Sequence, residues 1–299
     1  MLDDLSISGK DVCYVFYSLS SYSSPELNLE AFHWLEVAMR YTDKVVIITG
    51  AARGIGAGCA RAFVDAGSKV VIADCRDDEG TKMISELNAL RKGRSHFIKT
   101  DMTKMQEVEN LIIVTAEQFG RIDCLINNAG WHPPHVPIDQ FSIEDFRHLF
   151  ELNVVSVFAA CKWALPHLRK TKGNIINLAS LVATIGQYYA TTYVATKGAI
   201  LSFTKALAID EACHGVRVNS ISPGNIWTPL WKEAVDSSDN PERTLLDGET
   251  AQPMGRMGTP EEAGRLALFI AAEATFTTGV DHLLTGGAEL GYGRKVHEE

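Results

Sequence analysis

From Lys44 onward, short apolar runs rich in β-branched residues alternate with longer segments of helical period. The runs "KVVIIT" (44–49), "KVVIAD" (69–74), "HFIKT" (96–100), "IDCLIN" (122–127), "NIINLA" (174–179), "VRVNSI" (216–221) and "DHLLT" (281–285) predict seven strands. They are near-continuous rather than alternating, which suits strands covered on both faces, as in a parallel sheet. Between them, "GAGCARAFVDAG", "TKMQEVENLIIVTAEQFG" and "SIEDFRHLFELNVVSVFAACKWALPHLRK" read as helices. Alternating βα units imply right-handed crossovers. The expected fold is α/β: one doubly wound, seven-stranded parallel sheet with helices on both faces. The chain contains no internal repeat and no low-complexity segment.

Two segments break this rhythm. Residues 1–42 form an N-terminal extension ahead of the domain at 43–293, and 294–299 form a tail. Within the extension, "SSPELNLEAFHWLEVAMRY" predicts a short helix with Ser24 as N-cap and Pro25 at the first helical position. The extension reads as dispensable; a helix that docks a dimer is the alternative. Residues 226–260 are polar, carry "DSSDNPE" and separate the sixth strand from the next helix. A long insertion at that edge of such a sheet reads as a substrate lid.

The 299 residues are 46% hydrophobic and 22% charged, enough apolar content for a sizeable core. The formal charge is −9 and no Lys/Arg run occurs, so neither nucleic acid nor an anionic membrane is an expected partner. No apolar run approaches the ~20 residues of a membrane span. The N-terminal apolar run follows Asp3 and Asp4 with only Lys10 as a cation, unlike a secretory signal, and no arginine precedes Arg40, unlike a transit peptide. The ending "KVHEE" matches no retention, peroxisomal or prenylation signal, so the cytosol is expected. The six cysteines form no C-x-x-C pair and mostly sit in apolar segments, as buried reduced thiols would.

"VVIITGAARGIGAGCARAF" is a strand, a glycine-rich turn and a helix, the opening of a Rossmann-type unit. Gly50, Gly54 and Gly56 have the spacing G-x-x-x-G-x-G. Glycines permit a tight turn and close backbone approach, and the helix N-terminus offers free N–H groups to a pyrophosphate. Asp74 ends the second strand, where a carboxylate bonds the adenosine ribose and repels a 2′-phosphate, which favours NAD. Arg53 and Arg76 argue for NADP, since either can meet a phosphate, but Asp74 sits where the ribose lies. Asp74 can also serve as N-cap for the helix in "RDDEGTKMISEL".

Read as one helix, "QYYATTYVATK" (187–197) stacks Lys197 on Tyr193, four residues apart, with Tyr189 two turns back from Lys197 and Tyr188 about 100° away from Tyr189. A phenol has a pKa near ~10 and needs a neighbouring cation to become a base at neutral pH. Only Tyr193 has one so placed. Ser180 ends "NLAS" at the tip of the fifth strand, facing the crevice.

"TGAARGIG", "NNAG" (127–130), "LELN" ending at Asn153, Ser180, "YVATK" and "SPGNIWTPL" occur in order between Lys44 and Gly293. Together they resemble the short-chain dehydrogenase/reductase family. The resemblance implies that Tyr193 is the catalytic acid/base, that Lys197 lowers its pKa, that Ser180 polarises the substrate oxygen and that Asn153 holds a water in the proton relay. It also implies that Asn128 lines the cofactor site with Gly50, Arg53, Gly54, Ile55, Gly56 and Asp74. Asp101 and Met102 would flank the adenine, and Ile226, Thr228 and Leu230 the nicotinamide end. "WHPPHVP", "SLVATIGQ", "SPGNIWTPLW" and "LLTGGAELGYG" are similar to a branch that oxidises 17β-hydroxysteroids and L-fucose, which implies a cytosolic, NAD-dependent homotetramer. The extension, the extra residues around "ALRKGRSH" and Trp131 depart from that branch.

"WHPPHV" should overhang the crevice. His132 and His135 are three apart, but two prolines and the lack of a third ligand argue against a metal, and His132 is expected to contact substrate. Gln187 is a second expected contact, Trp227 and Trp231 can wall an apolar or sugar-stacking pocket or simply fill core, and by resemblance Tyr292 reaches a neighbouring subunit's site. Trp231 with Leu230 suits a steroid's apolar cleft; His132, Gln187 and Glu289 suit a sugar. The expected activity is NAD-dependent oxidation of a secondary alcohol to a ketone or lactone. A catalytically silent NAD-binding regulator is disfavoured because Ser180, Tyr193 and Lys197 are all present. A sugar epimerase or dehydratase is disfavoured by the glycine spacing.

Overall fold

The apolar runs form strands whose ends lie within two residues of those expected. They are β1 (Val45–Thr49), β2 (Lys69–Asp74), β3 (Ser95–Lys99), β4 (Cys124–Asn127), β5 (Asn174–Leu178), β6 (Arg217–Pro223) and β7 (Asp281–Leu284). In the computed structural model, which describes residues 41–291 apart from residue 92, they make one sheet in the order β3-β2-β1-β4-β5-β6-β7. Every pairing is parallel. The order reverses between β1 and β4, which places a ligand crevice beyond the carboxyl ends of those two strands.

The helices are α1 (Gly54–Asp65), α2 (Asp77–Leu90), α3 (Met105–Phe119), α4 (Ile143–Phe150), α5 (Ser156–Thr171), α6 (Val182–Ile185), α7 (Thr191–Ala212), α8 (Pro229–Asp236), α9 (Pro241–Thr250) and α10 (Pro260–Ala272). Adjacent residues of one strand feed opposite cores. Val46 and Ile48 join Phe63 of α1, Leu87 of α2 and Ile270 of α10 on one side. Ile47 joins Leu111 of α3, Leu168 of α5 and Ile200 of α7 on the other. Both faces of β1 are therefore dry, and each large aliphatic side chain contributes about 2 kcal/mol of burial.

A wider five-residue turn, Glu151–Val155, joins α4 to α5, so the expected single helix is continuous but bulged at its centre. The stretch Ile143–Thr171 is long and apolar enough to cross a membrane, but half of its most apolar window is buried in the fold. It is a core helix packed against α3 and the sheet.

The segment expected to be a substrate lid is largely helical. Thr228 caps α8 and Asn240 caps α9, each accepting a backbone N–H three residues on, with Pro229 and Pro241 next in line. A short parallel bridge, Ile226 to Gly258, pins the base of the insertion. Tyr41 opens the described domain: its hydroxyl accepts from Asn174 at 2.9 Å and its ring meets Phe63 edge-on. The expected helix before it, the tail at 294–299, Tyr292 and Cys13 lie outside the described residues. Of the remaining cysteines, Cys59, Cys124 and Cys161 are buried, whereas Cys75 and Cys213 are exposed.

Candidate active site

The glycine turn is built by close approach. Gly50 has φ +64°, and a Cβ there would lie 2.8 Å from Ala129 Cα. A Cβ on Gly56 would lie 2.4 Å from the Gly50 carbonyl oxygen and 2.6 Å from Asn128 Nδ2. Asn128 braces the turn, donating from Nδ2 to the carbonyls of Thr49 and Gly50, both at 2.9 Å. The Thr49 hydroxyl accepts from the backbone N–H groups of Asn128 and Ala129. Sequence reasoning missed Thr49, although a hydroxyl at a strand tip beside "NNAG" signalled it. Ile55 packs against the core below the turn. The N-terminus of α1 has no side-chain cap and no acid in its first turn. Its N–H groups remain available to an anion, so these residues fit the diphosphate of a dinucleotide.

Asp74 stands at the tip of β2, nearly fully buried. It does not cap α2. One oxygen accepts from Ala52 N and the other from Arg76 N, each at 3.1 Å, which ties the acid to the glycine turn. A carboxylate has about four acceptor positions, so capacity for ribose hydroxyls remains. Both candidate phosphate-binding arginines have acidic neighbours. Arg53 pairs with Glu233 of α8 at 2.6 Å and lies 3.9 Å from Glu79; Arg76 faces Asp74 at 3.5 Å and Glu79 at 3.9 Å. Asp101 accepts from the backbone and hydroxyl of Thr103, which together with Lys104 hold its carboxyl below the usual range, and Met102 beside it is buried.

Across the crevice, Tyr193 and Lys197 lie one turn apart on α7, with Lys197 Nζ 5.7 Å from the Tyr193 ring centroid. Ser180, two residues past the end of β5, lies beside the Tyr193 side chain and favours its ionised form. Lys197 is almost fully buried and donates to the Leu178 carbonyl at 2.7 Å. Burial pulls the ammonium down to about 8. Burial also pushes the Tyr193 phenol up to about 12, partly offset by Ser180. The expected lowering by Lys197 is not what dominates here. The ammonium is directed at a backbone carbonyl, and desolvation of the phenol outweighs its attraction. Tyr188 and Tyr189 do not share this helix, which begins at Thr191. They precede it as an exposed pair stacked at 3.8 Å, with Tyr189 at φ +55°.

Asn153, in the wide turn between α4 and α5, is fully engaged by its side chain. Its Oδ1 accepts from Trp131 N at 2.9 Å, and its Nδ2 donates to the Trp131 carbonyl at 2.9 Å and to Thr196 at 3.1 Å. It therefore anchors the loop after β4. That loop carries His132 over Tyr193, with ring centroids 4.1 Å apart. His132 Nε2 lies 3.0 Å from the Gln187 side-chain oxygen, so the two expected substrate contacts meet each other. A second bond, from Val136 N to the Tyr189 carbonyl, zips the same two loops together. His135 lies 5.1 Å from His132, and among the described residues no group of three metal-ligating side chains converges.

On the lid side, Thr228 lies near Gly54, 3.7 Å from where its Cβ would be. Leu230 and Trp227 are exposed at 43% and 41%, whereas Ile226 is buried against Gly258. The Trp231 ring packs on Gly248 of α9, filling the lid's own interior rather than standing free as a pocket wall. Glu289 is bonded by the Thr285 hydroxyl. A cavity of about 410 Å³ adjoins the glycine turn, lined by Arg53, Arg61, Glu79 and Lys82. Another of about 450 Å³, around Tyr41, Asn174 and Arg217, opens at the opposite end of the strands, away from this chemistry.

Comparison with known proteins agrees with this geometry. The family model described as "Enoyl-(Acyl carrier protein) reductase" matches residues 50–289. The chain is 53% identical over 257 residues to L-fucose dehydrogenase of Mus musculus, covering 86% of this chain and 92% of that protein. The ligand-free aldohexose dehydrogenase of Thermoplasma acidophilum superposes with a TM-score of 0.76 at 31% identity, over 84% of this chain and 96% of that one. The L-sorbose reductase of Gluconobacter frateurii, complexed with NADPH and L-sorbose, superposes with a TM-score of 0.79 at 28% identity, over 84% and 98%.

Proposed function

The chain belongs to the short-chain dehydrogenase/reductase family, and we propose that it is an NAD-dependent dehydrogenase that oxidises L-fucose to its lactone. It is an oxidoreductase of CH–OH groups that uses a nicotinamide cofactor and a small-molecule substrate. The choice of sugar rests on the polar pair His132–Gln187 set directly over Tyr193, together with the relatives named for fucose and aldohexose. A hydroxylated ring offers hydrogen-bond partners to such a pair, whereas an apolar ring system offers it none. A steroid is the weaker reading, because Trp231, its expected apolar wall, is occupied by Gly248.

A nicotinamide dinucleotide, which the glycine turn and Asp74 would hold, would supply the hydride acceptor for the carbinol carbon. The protein's own work is to move a proton. The Ser180 hydroxyl donates to the substrate oxygen, and the Tyr193 phenolate accepts from that oxygen and takes its proton. Lys197 supplies a buried cation that stabilises that phenolate. The choice of NAD is supported by Asp74 at the β2 tip and by the acids facing Arg53 and Arg76. Exposed apolar side chains on α5 and α7 (Phe158, Ile209) and around β7 (Phe276, Leu283) support a homotetramer. We place it in the cytosol. Measuring kcat/KM for L-fucose and estradiol with NAD and with NADP tests the reading; preference for estradiol, or for NADP, would contradict it.

A further inference from the structure

His132 is restricted in how it can carry protons. Its Nδ1 lies 2.7 Å from the Pro133 carbonyl oxygen, which only accepts, so Nδ1 is protonated in every state. Nε2 is therefore the ring atom that gains or loses hydrogen, and it lies against the side-chain amide of Gln187 at 3.0 Å. A neutral ring accepts at Nε2 and requires the amide NH2. An imidazolium donates and requires the amide oxygen. A half-turn of the amide exchanges these two groups without moving its plane. The hydrogen bond thus survives both states, but the amide end left over for the crevice differs.

We propose that His132 is a positioning residue whose protonation selects which end of the Gln187 amide faces the substrate. With a neutral ring, Gln187 presents its oxygen and accepts from a sugar hydroxyl. With a charged ring it presents NH2, reversing that hydrogen bond. The titratable groups facing His132 are Tyr193, its ring at 4.1 Å, and His135 at 5.1 Å, with Lys197 5.7 Å from the Tyr193 ring. Among the described residues no carboxylate bonds either ring nitrogen of His132. The proposal rests on the reading of this crevice as the sugar site.

The test reads the free protein first. Ring-nitrogen NMR of His132 should give the Nδ1–H tautomer when the ring is neutral. In Gln187→Glu, whose carboxylate only accepts, the His132 titration should move up by about one pH unit or more. In turnover, the KM for L-fucose should change by about fivefold across the wild-type His132 titration, and this change should vanish in Gln187→Leu. An Nε2–H tautomer, or a His132 titration unmoved by glutamate at 187, overturns the proposal. Failure of L-fucose turnover with both NMR results intact would overturn the substrate assignment alone.

Discussion

Replacing Lys197 with Met removes the cation beside Tyr193 while keeping an unbranched, buried side chain. The ammonium lies 5.7 Å from the phenol ring. At an effective dielectric constant of about 20, the attraction to a phenolate at that distance is about 3 kcal/mol, or about two pH units of acidity. With the free phenol pushed up to about 12, that assistance decides how much phenolate exists near neutrality. The expected loss in kcat for alcohol oxidation is between about ten- and a hundredfold. Its pH dependence has a definite sign. Burial lowers the Lys197 pKa to about 8, so the cation is present below that pH and is lost as the pH rises through it. The deficit of the variant should be largest below about pH 8 and narrow above it, while both enzymes become faster as more phenolate forms. Initial rates of reduced-cofactor formation across pH, at saturating cofactor, provide the assay. A uniform deficit at all pH values, or a loss below fivefold, would refute the electrostatic role.

Other positions give sharp expectations. Gly56→Ala puts a methyl group 2.4 Å from the Gly50 carbonyl and should weaken cofactor binding more than about tenfold, read by calorimetry. Asp74→Asn keeps an oxygen for Ala52 but removes the charge that opposes a 2′-phosphate, a change of about 3 kcal/mol. The ratio of kcat/KM for NADP over NAD should rise on the order of a hundredfold. Asn153→Ala deletes three hydrogen bonds, one buried and two partly buried, of about 1 kcal/mol each. The Tm should fall by about 6–12 °C, and turnover should drop as the loop carrying His132 loosens.

Much of this architecture was legible because its determinants are local. Val45–Thr49 and Lys69–Asp74 are continuous apolar runs, and Tyr193 and Lys197 are one helical turn apart. The lid helices were missed although their caps were written in the chain, as Thr228-Pro229 and Asn240-Pro241. Reading "QYYATTYVATK" as one helix failed because Tyr189 adopts a left-handed conformation just before the helix begins. The pairing of His132 with Gln187 spans 55 residues, and the hold of Asn153 on Trp131 spans 22. No periodicity encodes either; both follow from how the tips of β4 and β5 place their loops. The raised phenol of Tyr193 was likewise hidden, since desolvation depends on the packing around a group and not on its neighbours in sequence.

The account stands most directly on Tyr193. Incubated with L-fucose and NAD, the purified protein should release one reduced cofactor for each sugar oxidised. Tyr193→Phe should abolish that signal and leave NAD affinity within about twofold, because the ring remains and only the proton acceptor is gone. Turnover by the phenylalanine variant at the wild-type rate, or no reduced cofactor from the wild-type protein with L-fucose, would contradict it.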